Sequence, residues 1–327
     1  MEIALSPSFP GVTAPDLVAL CVEAEHHGYR DAWLAEVAGP EAFALAGAIA
    51  AATREMHLGV AVVAAANRSP ALHAMAAATV SQLLNGRRFA LGIGSSSELI
   101  VEGWHGHEFD RPLVRVREAV EGAKTALAGG REYSGTTVKM SRFAMTTPPA
   151  GPVPVYVGAL GPAMLRVAGA VGDGVCLNLM PPAAVPRQRD EIHAGAATSG
   201  RALPEGFGVM ARFHVVVTED RAMGRDLIRA GFAPYFAQGV YNRFMAWCGW
   251  PEEAAAIAAG FAAGDRGAVA RAFHDGIVDE LALVGPPGHV RDRLAAFSEA
   301  GVEIGALNLI GGEAGKLAVD LAALAPR

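Results

Sequence analysis

Three short stretches of the 327-residue chain set chemically capable side chains beside glycine. The first is Leu91-Gly92-Ile93-Gly94-Ser95-Ser96-Ser97-Glu98, an apolar run ending in two glycines and three hydroxyls. Glycine lets a backbone come close to a ligand, and hydroxyls with free N–H groups bind oxygen-rich groups. Ser97 stands where a GxGxxG dinucleotide fingerprint needs its third glycine, and no helix start follows at once, so that reading is weak. A barrel corner that merely needs glycine accounts for the run equally well. The second stretch, Val157-Gly158-Ala159-Leu160-Gly161-Pro162, runs from a strand into a helix whose dipole and bare amides suit a phosphate. Its plainer reading is a tight turn. The third, Val101–Phe109, gathers Trp104, His105, His107 and Glu108. His105 is a candidate acid/base group with Trp104 as a stacking wall. His-x-His next to a glutamate lacks a third ligand at helical spacing, so no metal is assigned, and a solvated packing loop remains the alternative.

Single residues add less. Glu36 follows the second strand, where it can serve as an acid/base group or pair with an arginine. His57 opens a strand at the end away from any site, and Cys176 lies in an apolar strand as core. Arg111, Arg115 and Arg117 read as a solvated helix face with Glu118 and Glu121. The aromatic-rich stretch 232–250 fits a lid, an interface or core packing. No P-loop, Gly-x-Ser-x-Gly elbow or HExxH motif occurs.

The elements that must carry these residues alternate. Short β-rich runs are expected at Ile3–Leu5, Ala32–Leu34, His57–Val63, Arg88–Ile93, Val153–Val157, Val175–Leu179, Phe207–Val217 and Ala306–Ile310. Helical periodicity follows nearly every one. Thr13 before Pro15 and Asp16, and Ser69 before Pro70, are helix starts, and Gly28 closes the first helix. A hairpin is expected over Glu132–Phe143, and a broken helical excursion over 219–283. Eight βα units demand a parallel sheet under helices, and favour a closed (β/α)8 TIM barrel over an open Rossmann-like sheet. The hairpin precedes strand five and the excursion lies between strands seven and eight, both decorating one domain over residues 1–327. Active sites of such barrels lie at the C-terminal strand ends. That nominates Ser6, Glu36, Ala61–Asn67, Ser95–His107, Gly158–Gly161, Asn178, His214, and Asn308 with Gly311-Gly312.

Composition narrows the classes. With 52% hydrophobic and 18% charged residues, the chain has material for a large core and is not disordered. A net charge of −6 without clustered Lys/Arg argues against nucleic acid. No apolar run nears the ~18 residues of a membrane span, and no signal peptide is visible. Three scattered cysteines suit a reducing compartment, here the cytoplasm.

The order of motifs resembles the bacterial-luciferase-like oxidoreductase superfamily. The match runs through AEHHGYRDAW (Ala24–Trp33), TREMHLGV (Thr53–Val60), NRSP (Asn67–Pro70) and NGRRFALGIG (Asn85–Gly94). It continues through RPLVRVRE (Arg111–Glu118), VPVYVGALGPAML (Val153–Leu165), AVGDGV (Ala170–Val175) and VGPPGHVRDRLAAFSEAG (Val284–Gly301). The resemblance implies a (β/α)8 barrel that binds a flavin or the deazaflavin coenzyme F420, acts on a small molecule and forms a homodimer. The Gly-Ser-Ser-Ser and Gly-Ala-Leu-Gly-Pro turns are similar to the F420-dependent branch, which includes methylenetetrahydromethanopterin reductase and the F420 type of glucose-6-phosphate dehydrogenase. By that likeness a non-proline cis peptide and bulge at Ala61-Val62 back the deazaflavin. Ser95, Ser96 and Ser97 line the ring and side chain, and Gly158, Ala159, Leu160 and Gly161 hold the phosphate. Two departures matter. Glu36-Val37 stands where many relatives have an acid followed by histidine, and Ser97 replaces an acid, which speaks against a sugar phosphate. The family's acid/base roles therefore do not carry over, and His105 and Glu36 are assigned from this chain alone. The activity expected is hydride exchange between the deazaflavin C5 and a small organic substrate, with an FMN-dependent monooxygenase or a non-catalytic flavin-binding barrel as alternatives.

Overall fold

A computed structural model of the protein describes residues 1–9 and 11–326. Eight parallel strands form its centre: β1 (Glu2–Leu5), β2 (Asp31–Leu34), β3 (His57–Ala64), β4 (Phe89–Gly94), β5 (Val155–Gly158), β6 (Gly174–Asn178), β7 (Gly208–Val217) and β8 (Ile304–Leu309). Each pairs with the next, and β8 pairs back onto β1 with Glu2 opposite Ile304, so the sheet closes. The helices α1 (Ala14–His26), α2 (Ala42–Ala52), α3 (Pro70–Leu83), α4 (Pro112–Leu127), α5 (Pro162–Val171) and α6 (Val185–Thr198) follow the first six strands. The expected barrel is the one observed.

Local chemistry sets the helix starts. The Thr13 hydroxyl accepts the Asp16 N–H at 3.4 Å, and the Ser69 hydroxyl accepts the Leu72 N–H at 3.2 Å, both as expected of caps. Helix α2 begins at Ala42 rather than Pro40, because the Glu41 carboxylate accepts the Ala44 N–H at 2.7 Å and so takes the cap position. After β4 the chain winds into a π-helix, Leu99–Trp104, where a loop was expected. The excursion resolves into α7 (Arg221–Phe236), α8 (Gly239–Trp247), α9 (Pro251–Ala263), α10 (Arg266–Ala272) and α11 (Asp275–Leu281). It ends in a short strand, Leu283–Gly285, on the far end of β7. Helices α12 (Pro287–Ala300) and α13 (Ala314–Ala323) flank β8. No helix among the described residues is long and apolar enough to cross a membrane.

The main core lies between strands and helices, and a second cluster fills the excursion. A third occupies the barrel interior, where Trp33 and Tyr156 meet edge-to-face with ring centroids 5.1 Å apart. Glycines make room for them. A Cβ at Gly59 would lie 2.4 Å from the Trp33 ring, and one at Gly208 would lie 2.0 Å from the Tyr156 hydroxyl. The two aromatics plug the lower barrel and leave its C-terminal end open.

The hairpin pairs Tyr133–Ser134 with Lys139–Met140 and is fastened to α4 by one carboxylate. Glu118 is buried, not part of a solvated face. It accepts the N–H groups of Thr136, Thr137 and Val138 and both threonine hydroxyls, at 2.6–3.0 Å. Burial alone would raise its pKa, but these donors outweigh burial and hold it at about 2.

Two outcomes follow. The Glu118 contribution is complete above its ordinary value of 4.5 and is lost as pH falls toward about 2. Melting temperature against pH should therefore fall over that interval in the wild type and more gently in Glu118→Gln, which should also be less stable at pH 7. Gly208→Ala should cost about 1–3 kcal/mol through overpacking. Part of that loss should return in the Tyr156→Phe background, which removes the nearest clashing atom, as denaturant unfolding of the double-mutant cycle would read.

Candidate functional site

The open end of the barrel has two unlike halves. Over β3, β4 and β5 it is nearly bare of side chains. At a register shift between Val60 and Val63, the Ala61–Val62 peptide bond is cis, and both side chains pack against the interior cluster. Val62 fills the space that side chains on the neighbouring strands would need: a Cβ at Gly94 would come within 2.5 Å of it, and one at Gly158 within 3.0 Å. Glycine at these positions leaves a low floor.

Above that floor and outward lies a cavity of about 1290 Å³. Ser95, Ser96 and Ser97 form one side, and Gly158, Leu160 and Gly161 another, so the two glycine-containing stretches singled out in the sequence face a common space. Ser96 has a φ of +59°, a left-handed conformation that a residue with a Cβ keeps only where the surrounding chain enforces it. Helix α5 starts at Pro162 with Gly161 as its cap residue and no side chain capping it. Among the described residues, the amides of Leu160, Gly161 and Ala163 have no hydrogen-bond partner, and the helix dipole adds positive potential there. Ala159 differs. It is buried, and its amide donates to the Cys176 carbonyl at 3.0 Å, so it belongs to the sheet and not to the cradle. Helix α8 supplies the outer wall with Arg243, Phe244 and Trp247, and Gln238 just before it adds an amide.

The polar half lies over β1, β6, β7 and β8. Asn308 donates from Nδ2 to the carbonyls of Ser6 and Ser8 at 3.4 and 3.2 Å, which turns its Oδ1 toward His214 Nδ1 at 3.2 Å. His214 therefore carries its proton on Nδ1. Its Nε2 lies 3.0 Å from the Asn178 Oδ1, so the ring is held between two side-chain amide oxygens. Burial, and then the charge of Arg212, hold the imidazole well below its ordinary pKa, against the bond to Asn308. It is a neutral positioning group. A second cavity of about 470 Å³ opens here, between the ends of β1, β2, β7 and β8 and helix α7.

The two residues expected to handle protons sit elsewhere. His105 lies past the end of the π-helix, is exposed and lines neither cavity; Trp104 beside it is 49% exposed and forms no wall. Glu36 receives both ends of the Arg68 guanidinium at 2.6 and 2.8 Å and the Ala42 N–H at 3.1 Å. Burial would raise its carboxyl, but the Arg68 bonds, the Ala42 amide and the Arg68 charge outweigh it and hold the group below its ordinary value. Arg68 also reaches Glu41 and lies over the Phe43 ring. Pairing with arginine is the role this structure gives Glu36. Arg212 was missed in the sequence. A cation two residues before His214, inside the expected strand Phe207–Val217, was the available signal.

Glu36→Gln should lower stability by about 1–3 kcal/mol, because it leaves Arg68 half-paired in a half-buried place. Ligand affinity in the large cavity should stay within about twofold in both Glu36→Gln and His105→Ala, as equilibrium titration would show. A tenfold loss in either would return that residue to the site.

The luciferase-like monooxygenase family profile matches residues 4–303. A 5,10-methylenetetrahydromethanopterin reductase of Archaeoglobus fulgidus is 31% identical over 286 residues, covering 85% of each chain. An F420-dependent glucose-6-phosphate dehydrogenase of Nocardia farcinica is 32% identical over 194 residues, 54% of this chain and 57% of its own. Among solved structures, the coenzyme F420-dependent tetrahydromethanopterin reductase of Methanopyrus kandleri superposes with a TM-score of 0.79 over 99% of this chain and 97% of its own, at 22% identity. With the profile spanning most of the barrel, the chain belongs to the luciferase-like monooxygenase family.

Proposed function

We propose that the protein is an F420-dependent oxidoreductase acting on a small organic substrate. The observation that carries this reading is the large cavity, where three serines and three bare amides face each other beside a low barrel floor filled by Val62. The residues suit the coenzyme. Of the residues expected at the ring, Ser95, Ser96 and Ser97 line the cavity, with Gly158 opposite them, while Ala61 and Val62 lie outside its lining; a phosphorylated side chain fits the mouth of α5. The names of the Nocardia and Methanopyrus relatives favour deazaflavin over FMN.

When bound, the deazaflavin supplies hydride transfer at its C5. The chain's own part is placement. The amides of Leu160, Gly161 and Ala163 bind phosphate oxygens, and Ser95, Ser96 and Ser97 hydrogen-bond the ring's polar edge and the side chain. Val62 fixes the depth at which a ring can rest. His214, neutral, donates from Nδ1 to the Asn308 Oδ1 and packs against the Asn178 amide, next to the substrate space. Its pKa lies too low for it to change charge near neutral pH, so the rate should show no ionisation from it there.

Purified protein titrated separately with F420 and FMN tests the proposal. F420 should saturate the site, FMN should bind at least about tenfold more weakly, and Ser97→Ala should weaken F420 binding. Tight FMN binding without F420 affinity, together with oxygen uptake in the presence of reduced FMN, would replace this reading with an FMN-dependent monooxygenase. Failure of both cofactors to bind would leave a barrel without redox chemistry.

A further inference from the structure

The second cavity contains a cation with nothing to balance it. Arg212 points from β7 into the barrel mouth and donates from Nε to the Ser6 hydroxyl at 3.1 Å. Its two terminal nitrogens have no partner among the described residues, and no carboxylate pairs with it. Every other arginine drawn into the body of this molecule has answering oxygens: Arg68 has Glu36, Arg87 has backbone carbonyls, and Arg225 has Asp279. Arg212 is also the one charged residue among the described residues lining this cavity. Burial pulls its pKa down to about 10, partly opposed by Tyr235 and Tyr241, so it remains charged at neutral pH. A half-buried guanidinium whose two terminal nitrogens open onto the cavity offers two free donor edges to a ligand there, and its planar fork matches a carboxylate.

The rest of the lining describes the remainder of such a ligand. Phe9, Leu34, Phe232 and Ile310 give apolar walls, and Ser8 and Tyr235 add hydroxyls. One positive charge, with the neighbouring His214 neutral, balances a carboxylate of charge −1. It would leave the greater charge of a phosphate monoester partly uncompensated.

We propose that this cavity is the substrate subsite and that it takes a small carboxylic acid with an apolar body, its carboxylate on Arg212. The proposal deepens the oxidoreductase reading and rests on it for the word substrate. The binding claim is independent of it, since carboxylate binding can be measured with no coenzyme present.

Benzoate, its neutral counterpart benzamide and phenyl phosphate serve as probes, with affinity read by calorimetry or ligand-observed NMR on the coenzyme-free protein. Benzoate should bind at least about tenfold more tightly than benzamide and more tightly than phenyl phosphate. Arg212→Met should remove about tenfold or more of the benzoate affinity and leave benzamide within about twofold. Arg212→Lys, which keeps the charge and loses the fork, should fall between and serves if Arg212→Met does not fold. Equal binding of benzoate and benzamide, or no binding of either, would overturn the proposal. Tighter binding of phenyl phosphate would overturn the carboxylate assignment. In parallel, F420 titration of both variants should match the wild type. If Arg212→Met instead weakened F420 and spared the benzoate preference, the guanidinium would belong to the coenzyme and the proposal would fall. Loss of F420 binding in the wild type would overturn the oxidoreductase reading alone.

Discussion

Closure of the parallel sheet is the constraint on which everything else depends. Once β8 hydrogen-bonds to β1, inward side chains share one narrow tube, and its volume must be filled without gaps or clashes. Trp33 and Tyr156 fill the lower part, which glycine on β3 and β7 permits. Val62 fills the next level, which glycine on β4 and β5 permits. The space left over is at one end, divided between the two halves of the rim. A ligand site there is a by-product of how the tube is packed, in which Trp33, Tyr156 and Val62 each have a glycine against them.

Much of this was legible in the chain. The eight strands could be read because continuous apolar runs alternate with capped amphipathic helices, and boundaries moved by only a few residues. The Ala61–Val62 irregularity was also expected, from motif order and not from periodicity, and of the two stretches singled out there Ser95, Ser96, Ser97, Gly158, Leu160 and Gly161 line one cavity while Ala159 does not. The unread parts share a cause. The π-helix after β4 has neither cap nor period to announce it. Glu118 looked solvated because the hairpin that buries it returns from residues 136–138. Glu36 and His105 are the right residue types on the right loops. What separates a proton carrier from an ion-pair partner or an exposed ring is which way the loop turns, and only contacts distant in sequence set that. Arg212 was overlooked because a strand reading rewards the apolar majority and discounts the single charge.

The two halves of the rim use opposite physics. The β3–β5 half gains its capacity from missing side chains and bare amides, which are rigid and need no counter-charge. The β6–β8 half is a network of neutral donors and acceptors around one guanidinium, where each amide orientation follows from its neighbour. The first suits a ligand whose shape never changes. The second suits one whose identity is selected by charge and hydrogen bonding, and in such a network a single substitution reorients several groups.

Helices α7 and α8 are joined by only Ala237 and Gln238 and pack on one another, and each forms part of a different chamber. Phe232 and Tyr235 roof the smaller one, while Arg243, Phe244 and Trp247 bound the larger. The pair is therefore a wall common to both chambers, and a substitution that shifts the packing of one helix on the other reshapes both spaces at once.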